Sequence, residues 1–197
     1  IDGITTTPSL VSQVAGDRDP KELYLEICEA VDGPVSLEVV ALDRKSMVSE
    51  GRKLAAIHEN AVVKVPLTED GLKACRDLVE DGHRVNVTLC FSVSQALLAA
   101  KAGASYISPF VGRIFDWYRA KTGRDSFPPQ EDPGVRSVTR IFNYYKTHGY
   151  HTIVMGASFR NAGQILALAG CDLLTISPEL LAALQAADGP VTRVLDS

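Results

Sequence analysis

The hexapeptide Ala61-Val62-Val63-Lys64-Val65-Pro66 places one basic side chain inside an apolar, valine-rich run. Three β-branched valines in six residues predict a buried strand. An amine buried there loses hydration that no apolar neighbour replaces, and this loss favours its neutral form. A neutral amine can attack a carbonyl carbon and form a Schiff base. The alternative is a lysine at the solvated tip of a strand, with its ammonium group reaching outward.

Apolar segments alternate with amphipathic segments along the rest of the chain. Strands are predicted at residues 1–7, 35–40, 61–66, 85–89, 105–108, 152–155 and 172–176, and Pro8 ends the first of them. Helices are predicted at residues 20–31, 43–58, 68–80, 92–101, 135–147 and 158–168, with a final short helix from Pro178. Asp43 and Thr68 are the predicted N-caps of the second and third helices. Strands and helices that alternate with short connections require a parallel sheet, which a closed barrel and an open doubly wound sheet both satisfy.

Polar side chains near the strand ends decide between these two folds. They are Thr6, Glu38, Lys64, Asn86, Thr88, Ser108 and Ser158. An open sheet gathers function at a switch point between a few strands, whereas a barrel brings all its strand ends around one site. Because nearly every predicted strand contributes, the pattern favours an α/β barrel that forms a single domain over residues 1–197.

Size and charge exclude several classes of function. The chain has 197 residues, which fits one domain better than two. Its net charge is −4 and it has no run of basic residues, so no nucleic-acid partner is expected. No apolar run approaches the roughly 20 residues of a membrane helix, so no membrane partner is expected either.

The cysteines and histidines indicate a reducing compartment and no metal. Cys28, Cys75, Cys90 and Cys171 are scattered in apolar surroundings and form no Cys-x-x-Cys pair. The four histidines lie in turns or at helix ends, without the spacing of metal ligands. Free buried thiols are typical of the cytoplasm, which is therefore the predicted location.

Glu38 and Lys64 lie on successive predicted strands and can be neighbours in the sheet. One interpretation is a buried ion pair that serves only the fold. The other is a carboxylate that moves protons, through a water molecule, for a Schiff-base amine. Asn86 and Thr88 are two residues apart on the next strand and so face the same side. They could orient a substrate or that water, or simply be hydrogen-bonded polar residues at a strand end.

Two arginines follow strand ends in small-residue surroundings. Arg113 follows Ser-Pro-Phe-Val-Gly, and Arg160 follows Gly-Ala-Ser-Phe. Guanidinium groups near helix N-termini suit a phosphate group. A pair of ordinary surface arginines is the alternative, but two such sites on successive strand–helix connections favour phosphate binding.

Several segments resemble the transaldolase family of class I Schiff-base enzymes, which act in the pentose phosphate pathway. They are Thr-Thr-Thr-Pro-Ser-Leu at 5–10, Val-Lys-Val at 63–65, Asn-Val-Thr-Leu at 86–89, residues 107–118, Glu-Asp-Pro-Gly at 131–134, Met-Gly-Ala-Ser-Phe-Arg at 155–160, and residues 169–176. The runs 108–118 and 155–160 are highly specific. The resemblance implies a (β/α)8 TIM barrel whose first strand, with the aspartate that assists carbon–carbon cleavage, would lie upstream of Ile1. Asp2 is not that aspartate.

The resemblance also implies an activity: transfer of a dihydroxyacetone unit from sedoheptulose 7-phosphate or fructose 6-phosphate to an aldose phosphate, without cofactor or metal. Lys64 would form the Schiff base, while Glu38, a water molecule and Thr88 transfer protons. Asn86 and Ser108 would hold the dihydroxyacetone fragment. The substrate-binding positions would further include Arg113, Ser158 and Arg160 at the phosphate, together with Thr7 and Phe110. Family members are homo-oligomers, so a homo-oligomer is expected here.

Two further functions stay open. Fructose-6-phosphate aldolase resembles this family but carries Gln and Tyr where this chain has Glu38 and Phe110, and these two residues favour the transferase. A non-catalytic protein that binds sugar phosphates would use the arginines without a covalent adduct. The family motif also has Asn at the position of Thr7, and a hydroxyl cannot supply the separate donor and acceptor of an amide.

Overall fold

The structure is a computed structural model that describes residues 1–196 in two compact units. The first unit comprises Ile1–Thr88 and Leu98–Ser105. The second comprises Leu89–Leu97 and the chain from Tyr106 onward. Their boundary falls inside the strand Val85–Cys90. The expectation of a single domain stays a prediction.

Within residues 1–196 the strands form one parallel sheet in chain order. They are β1 Ile4–Thr5, β2 Val35–Glu38, β3 Ala61–Pro66, β4 Val85–Cys90, β5 Tyr106–Pro109, β6 Ile153–Gly156 and β7 Leu173–Leu174. Parallel strands that follow the chain order, with helices in the connections, are typical of an α/β barrel of the TIM type. The predicted fold class and the predicted strands are confirmed.

The helices lie in the connections and after the last strand. They are α1 Pro8–Ala15, α2 Pro20–Ala30, α3 Arg44–Ala55, α4 Glu69–Glu80, α5 Val93–Lys101, α6 Val111–Thr122, α7 Pro133–Thr147, α8 Ala162–Leu166 and α9 Pro178–Ala186. The predicted N-caps are confirmed: Asp43 accepts from the backbone N–H of Ser46, and Thr68 accepts from that of Gly71.

Three helices differ from the prediction. Helix α1 was not expected, because Pro8 was interpreted only as the end of a strand; Pro8 instead occupies the first helical turn, where a proline is tolerated. For helix α6, the sequence indicated only that a helix starts near Arg113, and the structure shows a helix from Val111 to Thr122. Helix α8 begins four residues later than predicted, because Ser158 has a φ of 64° and Asn161 provides the N-cap.

Each unit has its own apolar core. In the first unit, the valines of β3 pack under α3 and α4, whose Met47 and Leu78 are fully buried. In the second unit, α7 buries Ile141, Phe142 and Tyr145. These cores fix the strands whose ends carry the polar residues predicted from the sequence.

Candidate active site

In the first unit, one row of the sheet carries three of the predicted site residues. The parallel register pairs Glu38 on β2 with Lys64 on β3, and Lys64 with Asn86 on β4. Adjacent residues in one row of a parallel sheet point to the same face, so the three side chains are neighbours. We call Glu38, Lys64, Asn86 and Thr88 the lysine group.

Lys64 is buried, with 3% of its surface exposed. Its Nζ lies 3.1 Å from Oε2 of Glu38 and donates to the backbone carbonyl of Thr6 at 3.2 Å. The prediction that Lys64 is buried and neighbours Glu38 is confirmed, and the solvated-tip alternative is wrong. The amine is thus fixed by two oxygen atoms, one of which can accept its proton.

Two residues that the sequence did not single out, Tyr24 and Glu50, act near Glu38. Burial raises the pKa of Tyr24, and the charges of Glu50 and Glu38 raise it further, so this phenol stays protonated near neutral pH. The carboxylate of Glu50 accepts from the backbone N–H groups of Val40 and Ala41 and so holds the chain that follows Glu38. Glu50 lies inside a predicted helix, and no sequence pattern marks it as this anchor.

Asn86 and Thr88 differ in how their polar atoms are used. Asn86 is fully buried and donates from Nδ2 to Oγ of Ser36 at 3.0 Å. The hydroxyl of Thr88 is buried and has no hydrogen-bond partner within residues 1–196. Ser36 was missed, although it lies two residues before Glu38 on β2, and the two-residue period of a strand could have indicated it.

Thr6 and Thr7 make different contacts at the end of β1. The hydroxyl of Thr7 caps α1 by accepting from the backbone N–H of Leu10, and it lies 3.1 Å from the hydroxyl of Ser9. Thr6 is the residue whose carbonyl contacts Lys64. A substrate contact by Thr7 stays a prediction.

In the second unit, the residues Ser158, Phe159 and Arg160 form a short connection after β6, which we call the arginine loop. The guanidinium group of Arg160 donates from Nη2 to Asp116 at 2.7 Å and from Nη1 to both oxygen atoms of Ser158 at 3.2 Å. The two predicted phosphate residues Ser158 and Arg160 therefore lie together. Asp116 is an acidic neighbour that the sequence did not indicate.

Arg113 and Phe110 lie beside a separate open cleft of the second unit. The guanidinium carbon of Arg113 lies 5.2 Å from the centre of the Phe110 ring, which is within reach of a cation–π contact. Arg113 lines a cleft of about 940 Å³ that is also lined by Arg124, Phe91, Trp117, Tyr118, Glu131, Arg136 and Arg140, among others. Among the lining residues within 1–196, neither Ser158 nor Arg160 is present. Ser108 is buried on β5.

The cysteines are free thiols, and Cys28, Cys75 and Cys90 are buried. Burial raises the pKa of Cys75 and of Cys90 to about 12, so both stay protonated at neutral pH. The structure over residues 1–196 places no three His, Cys, Asp or Glu side chains as a metal site. Among these residues no helix has the length and apolar character needed to cross a membrane.

The whole described chain matches one family model. Residues 1–196 match the model described as transaldolase/fructose-6-phosphate aldolase. Two relatives named transaldolase come from Methylobacillus flagellatus, 48% identical over 92% of this chain, and Gloeobacter violaceus, 50% identical over 94% of this chain. The chain spans 60% and 50% of their lengths.

Solved structures share the fold at low sequence identity. The carboxyl transferase domain of Rhizobium etli pyruvate carboxylase superposes with a TM-score of 0.63 and 12% identity, covering 95% of this chain and 37% of that one. Inosine 5′-monophosphate dehydrogenase from Legionella pneumophila gives a TM-score of 0.52 and 17% identity, covering 81% of this chain and 48% of that one. These likenesses concern the fold alone.

Proposed function

The chain belongs to the transaldolase/fructose-6-phosphate aldolase family, and we propose that it transfers a dihydroxyacetone unit between phosphorylated sugars. The donor would be sedoheptulose 7-phosphate or fructose 6-phosphate, and the acceptor an aldose phosphate. The observation that carries this proposal is the buried amine of Lys64, which lies 3.1 Å from the carboxylate of Glu38.

The proposed reaction begins when Glu38 takes a proton from the amine of Lys64, which then adds to the ketone carbon of the donor. Protonation of the resulting carbinolamine hydroxyl expels water and leaves a protonated imine. The imine then accepts the electron pair of the bond between its neighbouring carbon and the carbon after that. The hydroxyl on this last carbon loses its proton to a base and becomes the aldehyde of an aldose phosphate, which leaves. The remaining enamine attacks the aldehyde of the acceptor, and hydrolysis of the new imine releases the product and restores Lys64.

Glu38 is proposed to move the protons of the imine-forming step. Its carboxylate already contacts the amine, which is the geometry that a general acid–base group needs. The hydroxyl of Thr88 is buried without a partner in the described chain, and this supports its role in orienting a water molecule or the substrate. Asn86 and Ser108, both buried on strands, are proposed to hold the hydroxyl groups of the dihydroxyacetone fragment.

The phosphate group is proposed to bind at the arginine loop. Arg160 and Ser158 lie in hydrogen-bond contact, and a guanidinium group beside a hydroxyl suits a phosphate. Arg113, Phe110 and Thr7 are proposed as further substrate-binding residues on the basis of the family resemblance. We also propose a homo-oligomer in the cytoplasm that needs neither cofactor nor metal.

Reduction with borohydride tests the covalent step. Intact mass and peptide mapping after incubation with fructose 6-phosphate and borohydride should reveal a dihydroxyacetone unit on the peptide that contains Lys64. A whole hexose phosphate on this peptide would establish the amine as nucleophile without cleavage. If folded protein gave no adduct, the transferase proposal would be wrong and a non-catalytic sugar-phosphate binder would replace it.

A second measurement separates the transferase from an aldolase. With donor alone, a transferase retains the dihydroxyacetone unit on Lys64, whereas an aldolase releases it. Glu38 and Phe110 favour the transferase, so free dihydroxyacetone should accumulate only slowly without acceptor. Rapid release that is independent of acceptor would assign the aldolase activity instead.

A further inference from the structure

The arginine loop adopts a conformation that its own residues do not favour. Ser158 has a φ of 64°, in the left-handed region that non-glycine residues adopt infrequently. Such a conformation persists only when neighbouring groups impose it. The loop carries Ser158 and Arg160, so whatever imposes its conformation also sets where these two side chains stand.

Two hydrogen bonds anchor the backbone of this loop. At its beginning, the carbonyl of Ser158 accepts from the backbone N–H of Gly112 at 2.7 Å. At its end, the backbone N–H of Arg160 donates to Oε1 of Gln164 at 2.7 Å. The second anchor is a side chain, so it can be changed without altering the loop itself.

Gln164 is itself held by a buried carboxylate. Its Nε2 donates to Oδ2 of Asp132 at 2.8 Å, and both residues are only 1% exposed. The other oxygen atom of Asp132 accepts from the backbone N–H groups of Gly134 and Val135 and so caps α7. A continuous series of hydrogen bonds therefore runs from the N-terminus of α7 through Asp132 and Gln164 to the backbone of Arg160.

The chemistry of this position suits an amide. Gln164 accepts one hydrogen bond and donates another at the same time, and an amide does so without a change of protonation. An ionised glutamate would accept but could not donate, and its charge would face the carboxylate of Asp132 in a buried site. A side chain without polar atoms would leave the N–H group of Arg160 without this acceptor.

We propose that Gln164, oriented by Asp132, is a positioning residue that holds the arginine loop in the geometry for phosphate binding. The proposal rests on the proposed function in that the phosphate group belongs to the sugar substrate. Gln164 does not contact the substrate; it acts through the backbone of Arg160.

The test compares Gln164→Glu with the double variant Asp132→Asn, Gln164→Glu. In the double variant, the asparagine introduced at position 132 can still accept from the N-terminus of α7. It can also donate to the glutamate introduced at position 164, which still accepts from Arg160. We expect the single variant to raise the KM for fructose 6-phosphate about tenfold, with kcat and the KM for unphosphorylated fructose changed less than about twofold. The double variant should recover most of this loss.

Gln95 provides a matched control. Its Oε1 accepts from the backbone N–H of Phe91, four residues earlier, as Gln164 accepts from Arg160. Within residues 1–196 its amide nitrogen has no partner comparable to Asp132, so Gln95→Glu keeps the bond it makes. Gln95→Glu should therefore leave the ratio of the two KM values unchanged.

Hydrogen exchange of the peptide over residues 158–166 reports the anchor without any turnover. We expect exchange at Arg160 to accelerate about tenfold in Gln164→Glu and to return toward wild type in the double variant. Gln164→Met removes both hydrogen bonds and carries no titratable group, so it should show the same changes in KM and in exchange. Unchanged exchange in Gln164→Met, or equal KM changes for both ketoses, would overturn the proposal. Wild-type protein that forms no Schiff base would instead contradict the proposed function.

Discussion

The lysine group and the arginine loop hold their basic side chains in two different ways. Lys64 projects from a strand whose neighbours on both sides are paired in register, and its amine is buried against a carboxylate. Arg160 lies in a connection, more than a third of its side chain is exposed, and its backbone N–H is held by Gln164. The lysine thus takes its position from the sheet ladder, whereas the arginine loop is held by one backbone anchor, Gly112, and one side-chain anchor, Gln164.

This difference bears on how each group responds to change. A strand residue cannot shift without breaking the ladder, so a substitution in the lysine group should alter chemistry while leaving its neighbours in place. A loop residue can shift when one anchor is lost, so substitutions that never touch Arg160 should alter its function. The following experiments test this contrast.

Lys64→Met should have the largest effect. It removes the proposed nucleophile while keeping an unbranched chain in the buried strand, so turnover should fall by at least about a thousandfold. Sugar transfer measured with fructose 6-phosphate and an aldose phosphate, alongside circular dichroism, checks this. Activity near the wild-type level in a folded variant would rule out the Schiff-base mechanism.

Arg160→Ala should have the next largest effect. Loss of a charged hydrogen-bond donor should raise the KM for phosphorylated ketoses by about 30-fold, because charged hydrogen bonds contribute about 2 kcal/mol. The KM for unphosphorylated fructose should change little, since it makes no phosphate contact. Steady-state kinetics with both sugars decide the matter, and equal changes would remove the phosphate role of Arg160.

Gly112→Ala tests the first anchor of the arginine loop. A methyl group at Gly112 would lie 2.1 Å from the carbonyl oxygen of Ser158 and 2.5 Å from Nη1 of Arg160. Overpacking of this kind destabilises a protein by about 1–3 kcal/mol, and here it should also raise the KM for phosphorylated ketoses. Urea unfolding and kinetics would measure both effects. A destabilised variant with an unchanged KM would show that the loop does not depend on this anchor.

Thr88→Val should have the smallest effect. It should stabilise the protein, whereas Gly112→Ala should destabilise it. The hydroxyl is buried without a partner in the described chain, so its replacement by a methyl group should raise the free energy of unfolding by about 1 kcal/mol. If the hydroxyl orients water or substrate, kcat should fall at the same time. Thermal unfolding and kinetics on one preparation check both, and a loss of stability would indicate that the hydroxyl has a structural partner in solution.

The sequence predicts the lysine group well because its members lie on strands. The two-residue period and the order of parallel strands were sufficient to bring Glu38, Lys64 and Asn86 together. The two-residue period also predicted the strands, and the preference of helix N-caps for Asp and Thr predicted Asp43 and Thr68. They failed where a local rule was overridden, as at Pro8, which begins α1 instead of only ending a strand.

The anchors of the second unit could not be predicted from local patterns. Asp132 and Gln164 are 32 residues apart and lie in a loop end and a short helix, so no periodicity links them. Asp116 likewise meets Arg160 across 44 residues. Hydrogen bonds between distant side chains depend on how the helices pack, and a single sequence carries no period that encodes this packing.

Trp117 lines the open cleft and is the single tryptophan of the sequence. The residue is 55% exposed, and the amine of Lys121 lies 4.5 Å from the centre of its ring. All indole fluorescence of the protein therefore originates at this one position of the second unit. Emission and its quenching by a neutral solute would follow events at the cleft without any label, so the protein contains its own optical probe there.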